Sequence, residues 1–320
     1  MNIIISFAGL ETGHDSKPYA LRRLAGSTIL GHVLTLLLDL PIQKLIVVVS
    51  SGKEPVEKWV RENVSDPSLH MVLVEEAADP VSALNECGAL LDSGQLLFVS
   101  GNYIAEADYL GLISSHAGAS CLVQTEQDGI PAEAIPVDET GFFKAEGNIQ
   151  VRWAGSCWFR HGTDLAKILD GRRVSGLGSM LSQLADQGIQ ISTRQAGYCL
   201  DTRSIESMLH ANARLLRLDY GSQDAIERSY AEDFTVLPPV FLHETAVIEN
   251  SVIGPFVNLE AHASVQNSIV RNSLIGTGTQ ITDAILDNSL IGDDAVISGL
   301  KRAVIAGDGA IVNLGKEQMK

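Results

Sequence analysis

Two textures of hydrophobic patterning divide the chain. Up to about residue 235, short aliphatic runs alternate with stretches of helical spacing. Residues 2–7 (NIIISF), 44–50 (KLIVVVS), 70–74 (HMVLV) and 96–100 (LLFVS) are nearly continuous apolar runs, the pattern of parallel strands buried on both faces. Between them, residues 28–38, 54–62 and 81–91 carry apolar positions at helical intervals. Strand and helix in alternation predict a doubly wound, mostly parallel and Rossmann-like α/β sheet. Residues 204–218 predict a closing helix, with Ile205, Met208, Leu209, Ala213 and Leu216 on one face.

After Pro238-Pro239 the helical period disappears and a phrase repeats: Asn250-Ser251-Val252-Ile253, Asn267-Ser268-Ile269-Val270, Asn272-Ser273-Leu274-Ile275, Asp283-Ala284-Ile285-Leu286, Asn288-Ser289-Leu290-Ile291. Successive starts lie 17, 5, 11 and 5 residues apart, so a pair five apart recurs 16 residues on. One structural turn is therefore 16 or 17 residues, with about three short strands in each. That predicts a β-helix solenoid; a β-sandwich would need the tandem phrase to be coincidence. The expected domains are 1–235 and 236–320, with the solenoid joining two copies of the chain as a homodimer.

Composition narrows the classes of function. Hydrophobic residues make up 45% and charged residues 19%, an ordinary globular balance. The net charge of −16, from 39 acidic against 23 basic residues, opposes a nucleic-acid footprint. Cys87, Cys121, Cys157 and Cys199 form no CxxC or CxxH pair, so reduced thiols are expected and a structural zinc site is not. The eight histidines form no H-x-x-x-H pattern, and no G-x-S-x-G elbow occurs. His262 lies within the solenoid, where β-helix acyltransferases carry a catalytic histidine, but no acyl-carrier pocket accompanies it. The opening MNIIISFAGL reads as a strand, and the apolar run at 29–40 is too short and too interrupted to span a bilayer. A cytoplasmic protein without a membrane segment is expected.

Five segments resemble the sugar-1-phosphate nucleotidyltransferases, closest in layout to glucose-1-phosphate thymidylyltransferases and mannose-1-phosphate guanylyltransferases. Ala8-Gly9 ends the first strand, like the family's AGG opening. Leu24-Ala25-Gly26 with Ile29-Leu30 resembles its V-A-G-K-P-I-L step, and Val99-Ser100-Gly101-Asn102 its strand followed by G-D. Trp153-Ala154-Gly155-Ser156-Cys157-Trp158-Phe159 is similar to NAG-x-Y-x-F. Gly197-Tyr198-Cys199-Leu200-Asp201-Thr202 is similar to G-x-W-x-D-T/I-G, ahead of a helix like P-E-x-L-L-x-A-N. The resemblance implies a left-handed β-helix of hexapeptide type after the α/β domain. It also implies transfer of NMP from an NTP to a sugar 1-phosphate, with release of pyrophosphate. A glycine loop would approach the phosphates, cations would hold the leaving group, and two carboxylates would hold Mg²⁺.

Carried onto this chain, the nucleotide would meet Ala8, Gly9, Gly13, Ser82 and Gly101, and the sugar Ala154 and Gly155. Lys17 and Arg22 would be the catalytic cations, and Asn102 and Asp201 the metal ligands. The chain departs from the family at several of these places. Gly9-Leu10-Glu11-Thr12-Gly13-His14-Asp15 lacks the Thr-Arg pair and puts Glu11 and Asp15 where triphosphate is expected. Lys17-Pro18 matches the family's Lys-Pro, whereas an ungapped count from Ala25-Gly26 puts Tyr19 at the lysine. Arg22 also reads as a surface residue at a helix entrance, and Asp201 as a helix N-terminal acid. Asn102 brings an oxygen but no charge, which weakens the Mg²⁺ site. Glu76-Ala77-Ala78-Asp79-Pro80-Val81-Ser82-Ala83 lacks the glycine and threonine of the base-binding segment. Two readings follow: a diverged nucleotidyltransferase, or an inactive relative that binds a nucleotide sugar as a regulatory or scaffolding subunit.

Overall fold

The computed structural model describes residues 1–10, 17–64, 70–75, 79–124, 133–171, 173–220 and 233–299. In chain order, the α/β part begins with β1 (Asn2–Phe7), the small hairpin β2 (Arg23–Leu24) and β3 (Ser27–Thr28), and α1 (Ile29–Thr35). It continues through β4 (Lys44–Val49), α2 (Lys53–Asn63), β5 (His70–Glu75), β6 (Leu96–Ser100), β7 (Tyr103–Glu106), α3 (Tyr109–Ile113) and β8 (Ala119–Gln124). Then come β9 (Ala134–Val137), β10 (Ile149–Phe159), α4 (Gly162–Gly171), α5 (Leu177–Asp186), β11 (Ile191–Gln195), β12 (Tyr198–Asp201) and α6 (Ile205–Leu215).

The main sheet runs β11-β8-β10-β6-β1-β4-β5. β10 opposes its neighbours β6, β8 and β9, and the remaining pairs are parallel. All six residues of β1 are buried, as a continuous apolar run requires of a central strand. This is the doubly wound α/β sheet expected from the pattern. α1 starts where the Thr28 hydroxyl accepts from Gly31 N at 2.9 Å. On α1, His32 is buried, and its Nε2–H donates to the Leu24 carbonyl at 2.7 Å.

Two predicted helices differ. The segment expected over 81–91 is a 3₁₀ helix, Ser82–Leu90. Its Asn85 amide accepts from Val174 N and donates to Val174 O, both at 2.9 Å, so a partner 89 residues away shapes it. The helix expected over 204–218 is α only to Leu215 and then widens into a π turn, Leu216–Tyr220.

The C-terminal part is a left-handed β-helix of three parallel four-stranded sheets. One stacks Thr235–Val236, Val252–Ile253, Ile269–Arg271 and Ile285–Asp287. The second stacks Val240–Leu242, Val257–Leu259, Leu274–Ile275 and Leu290–Ile291. The third stacks Val247–Glu249, Ser264–Gln266, Gln280–Thr282 and Val296–Ser298. The repeated phrase has a structural cause. Asn250, Asn267, Asn272, Asp283 and Asn288 take left-handed backbone at the corners (φ 45 to 53°), which Asn and Asp tolerate best after glycine. A serine follows each of the four asparagines, and at Ser251 and Ser268 it turns inward and links coils. Ser251 Oγ donates to Glu249 O at 2.7 Å and accepts from Ser268 N at 3.0 Å; Ser268 Oγ does the same for Gln266 O and Ala284 N. Next come the inward aliphatics Ile253, Val270 and Ile275, each at most 1% exposed. Burial of each contributes roughly 1.5–3 kcal/mol. His262 is one of the corner residues (φ 58°).

The second sheet of the β-helix docks on the α/β domain. Asn258 Oδ1 accepts from Gly26 N at 2.8 Å, and its Nδ2 donates to Glu260 Oε1 at 2.7 Å. Glu260 in turn holds Arg23 Nε at 2.7 Å. From α6, Asn212 accepts from Ala25 N at 2.9 Å and donates to Phe256 O at 3.1 Å. Leu274 belongs to the α/β core cluster, so apolar burial runs through this junction.

Candidate functional site

In an open α/β sheet, ligands bind outside the carboxyl ends of the parallel strands. Here the neighbouring ends of β1 and β6 mark where that crevice is expected. β1 runs into Ala8, which is buried, and Gly9 (φ 66°); β6 runs into Gly101 and Asn102. Gly101 N donates to Ser6 O at 2.7 Å, and a Cβ on Gly101 would stand 2.3 Å from the Phe7 ring. Only glycine allows the two strand ends this approach.

β12 pairs antiparallel with β7, setting Asp201 opposite Tyr103. This ladder brings the predicted metal pair together, because Thr202 N donates to Asn102 O at 3.0 Å. The hydroxyl of Thr202 donates to the same carbonyl at 3.1 Å and lies 2.7 Å from Tyr19 OH, so the tyrosine donates to the threonine. Burial pushes the Tyr19 phenol well above its usual range, so it stays protonated as a donor. Tyr19 stands beside Thr202, while Lys17 Nζ reaches Asp293 Oδ2 on the β-helix at 2.7 Å.

Asp201 lies in strand β12, and the N-cap of α6 is Ser204, so the helix-acid reading of Asp201 does not hold. Its carboxylate is engaged by Arg203. Nε lies 3.1 Å from Oδ1 and 3.0 Å from Oδ2, Nη2 lies 2.8 Å from Oδ2, and the Arg203 backbone N–H donates to Oδ1 at 2.8 Å. The guanidinium carbon sits 5.4 Å from the centre of the Tyr103 ring. The hydrogen bonds to Asp201 raise the Arg203 pKa further, so it is permanently charged. Asn102 Oδ1 accepts a close hydrogen bond from the Ser100 hydroxyl. Neither side chain offers a hard cation an open oxygen, and a guanidinium on both carboxylate oxygens repels a dication. As arranged, this donor set does not fit Mg²⁺. Among the described residues, no group of three or more His, Cys, Asp or Glu could hold a metal ion.

The other predicted residues are placed as follows. Ala154 and Gly155 are buried in β10, where its register against β8 breaks between Trp153 and Cys157. Gly155 has φ +84°, and a Cβ there would stand 2.7 Å from Tyr103 Cβ, so this bulge supports Tyr103 from below. Ser82 opens the 3₁₀ helix, its N–H and that of Val81 both donating to Asp79 Oδ1 at 3.1 Å. Arg22 is 8% exposed, corrects the surface reading, and lies with its guanidinium 5.7 Å from the Tyr19 ring centre. With Lys17 and Arg23 it lines a cavity of about 50 Å³ against the β-helix. Gly13, Glu11, Asp15 and residues 76–78 lie outside the described residues.

Sequence reasoning missed Arg203, Tyr103 and Glu133. The signal for Arg203 is its place two residues after Asp201, close enough for a side chain to fold back on the carboxylate. Glu133 accepts from Gly178 N at 3.3 Å, and burial pushes its carboxyl up, with Asp79 raising and Arg203 lowering it. A wider polar cleft of about 590 Å³ opens beside β12, lined by Gln124, Gln195, Tyr198, His210, Arg214 and Arg217. Among the described residues, no helix is long and apolar enough to cross a membrane.

Solved structures share this fold. HddC from Yersinia pseudotuberculosis complexed with GMP-PN superposes with a TM-score of 0.52 at 15% identity, over 67% of this chain and 99% of that one. HddC without that ligand gives 0.52 at 14% identity over the same shares. The inositol-1-phosphate CTP transferase from T. maritima gives 0.52 at 13% identity, over 64% of this chain and 90% of that one. What these structures share with this chain is the fold. No family model matches the sequence, and no curated protein does.

Proposed function

We propose that this protein binds a nucleotide or nucleotide sugar in the crevice at the ends of β1 and β6 and does not transfer the nucleotidyl group. The observation that carries this reading is the placement of Lys17, whose ammonium is held by Asp293 of the β-helix at 2.7 Å. Transfer requires a phosphate oxygen of the sugar 1-phosphate to attack an α-phosphorus while pyrophosphate departs, and the departing charge needs cations. Here Lys17, Arg22 and Arg23 are all turned to the domain junction. Binding without transfer is the behaviour of a regulatory or scaffolding subunit. The likeness to HddC, solved with GMP-PN, supports a nucleotide as the ligand.

One observation favours transfer as a second reading. Thr202 N donates to Asn102 O, so the backbone of β12 beside Asp201 is tied to Asn102, the two positions where the resemblance implies metal ligands. Pyrophosphate release decides between the two, measured over the common NTPs and a panel of sugar 1-phosphates with Mg²⁺ or Mn²⁺. Wild type is expected to be silent while calorimetry detects nucleotide-sugar binding. Turnover by wild type removes the binding-only reading. Activity appearing in Asn102→Asp alone marks a single lost charge as the cause of silence.

A homodimer through the β-helix belongs to the same reading. Ile269 (41% exposed) and Ile285 (74% exposed) stack in register on the outer face of its first sheet. Sedimentation as a monomer at micromolar concentration removes it.

A further inference from the structure

The four cysteines are buried free thiols, and two of them meet across the sheet. We propose that Cys121 and Cys157 form a modification site, a cross-strand disulfide that closes between β8 and β10 when a low-molecular-weight disulfide, such as glutathione disulfide, oxidises the two thiols. It is independent of the binding reading above, because it rests on other residues.

Three observations point to it. First, the two residues are register partners on antiparallel strands, so their side chains leave the same face of the sheet. Directly opposite Cα atoms in such a ladder lie about 4.5 or 5.5 Å apart, and both values fall within the span of about 4.4–6.8 Å that a disulfide bridges. Second, the thiols are aimed at each other. Their Sγ atoms lie 2.9 Å apart, one thiol donating to the other. They need to approach by about 0.9 Å to reach a bonded separation of about 2.0 Å. Third, the pair stands in an internal row: Thr193 of β11 pairs with Cys121 on one side, and Phe98 of β6 pairs with Cys157 on the other.

That row decides when the bond can form. Cys121 is 1% exposed and Cys157 0%, so glutathione has no path to either sulfur while the strands are closed. Burial also pushes the Cys157 thiol well above its usual range, and the attacking thiolate is scarce in the folded sheet. The bond therefore closes as β10 docks on β8, during folding or local opening. One cysteine thiolate attacks glutathione disulfide and releases a glutathione thiolate; the second attacks the mixed disulfide and releases another. Two electrons pass from the cysteines to glutathione disulfide, and the two cysteine protons end on two glutathione thiols. Cys157 is also the first residue of β10 to pair with β8 after the register break that follows Trp153. The bond would pin that end of the bulge carrying Gly155, and it would join positions 36 residues apart, which restricts the unfolded chain.

The test uses the full chain, reduced and then freed of reductant. It is held in a glutathione redox buffer in two ways, as folded protein and during refolding from urea, then blocked with iodoacetamide and mapped without reduction. The expected result is a peptide pair joined through Cys121 and Cys157, with Cys87 and Cys199 alkylated, formed faster during refolding than in the folded protein. Once formed, the bond should resist dithiothreitol in buffer and yield to it in urea. Oxidised wild type should unfold at a higher urea concentration than reduced wild type, and Cys121→Ala/Cys157→Ala should show no such shift. Should that double variant fail to fold, the peptide map of wild type decides alone. Alkylation of all four cysteines after both treatments overturns the proposal, as does a bond through Cys87 or Cys199 in its place. Reduction as fast in buffer as in urea would put the bond outside the core and overturn it as well.

Discussion

The domain junction and the crevice neutralise charge in opposite ways. At the junction, Lys17 and Arg23 of the α/β domain meet Asp293 and Glu260 of the β-helix, partners more than 230 residues away along the chain. In the crevice, Asp201 is neutralised by Arg203, two residues on. A pair so local forms whenever β12 forms, whereas the junction pairs exist only when both domains are folded and docked. The cations at the junction tie two distant parts of the chain together, whereas the Asp201 charge is met within its own strand end.

The sharpest way to break this contrast is to separate the domains without touching the crevice. Gly26 has φ +81°, and a Cβ there would meet three Phe241 ring atoms at 2.3, 2.5 and 2.9 Å. Gly26→Ala combines backbone strain with overpacking and should cost about 3 kcal/mol in urea unfolding. Nucleotide-sugar affinity of the fraction still folded should not change; a parallel loss of affinity would show that the crevice depends on the junction. Asn258→Ala should cost about 2 kcal/mol, because it strips a partner from both Gly26 N and Glu260. Asn212→Ala, which unpairs Ala25 N, should cost a similar amount, about 2 kcal/mol. Both asparagines hold the same two-residue turn, so a double-mutant cycle should show coupling above about 0.5 kcal/mol. Strict additivity would mean two independent contacts.

The same contrast explains what was legible in the sequence. The β-helix was, because its corners and inward residues repeat: Asn267, Ser268 and Val270 do for one coil what Asn250, Ser251 and Ile253 do for the coil before. Four strands of the sheet, at 2–7, 44–49, 70–75 and 96–100, were legible as well, since each is a nearly continuous apolar run. The junction was not, because nothing near Lys17 announces Asp293, 276 residues on. The Ser82–Leu90 turn type depended on Val174, again a distant partner. Arg203 is a different kind of omission. Its partner is two residues away, but the family pattern has a glycine at the place of Arg203, which gives no reason to look for a side chain there.

A smaller effect separates the two regions by pH. His32 sits beneath the β2–β3 hairpin that carries the junction, and burial, opposed by its bond to Leu24 O and aided by Arg23, lowers its pKa below the ordinary 6.5. The folded protein therefore refuses a proton that the unfolded chain accepts. The stability this represents is complete above about pH 6.5 and declines as the pH falls through that value toward the folded-state pKa. Urea midpoints at roughly pH 7.5 and pH 5.5 should differ more for wild type than for His32→Gln. Equal pH dependence in the two proteins would clear His32 of the effect.

Lys17 gives the smallest stability change and the most direct check on the contrast. Its ion pair with Asp293 is partly exposed, 28% on the lysine side and 36% on the aspartate side. Such a pair contributes at most about 1 kcal/mol, and less in high salt. Lys17→Ala should therefore lower the urea midpoint slightly in dilute buffer and hardly at all in molar salt. Its affinity for nucleotide sugars should equal that of wild type, since the ammonium points to the β-helix. A tenfold fall in affinity would mean that Lys17 leaves Asp293 for the ligand. The junction and the crevice would then share one cation, and the separation between them would hold only for the empty protein.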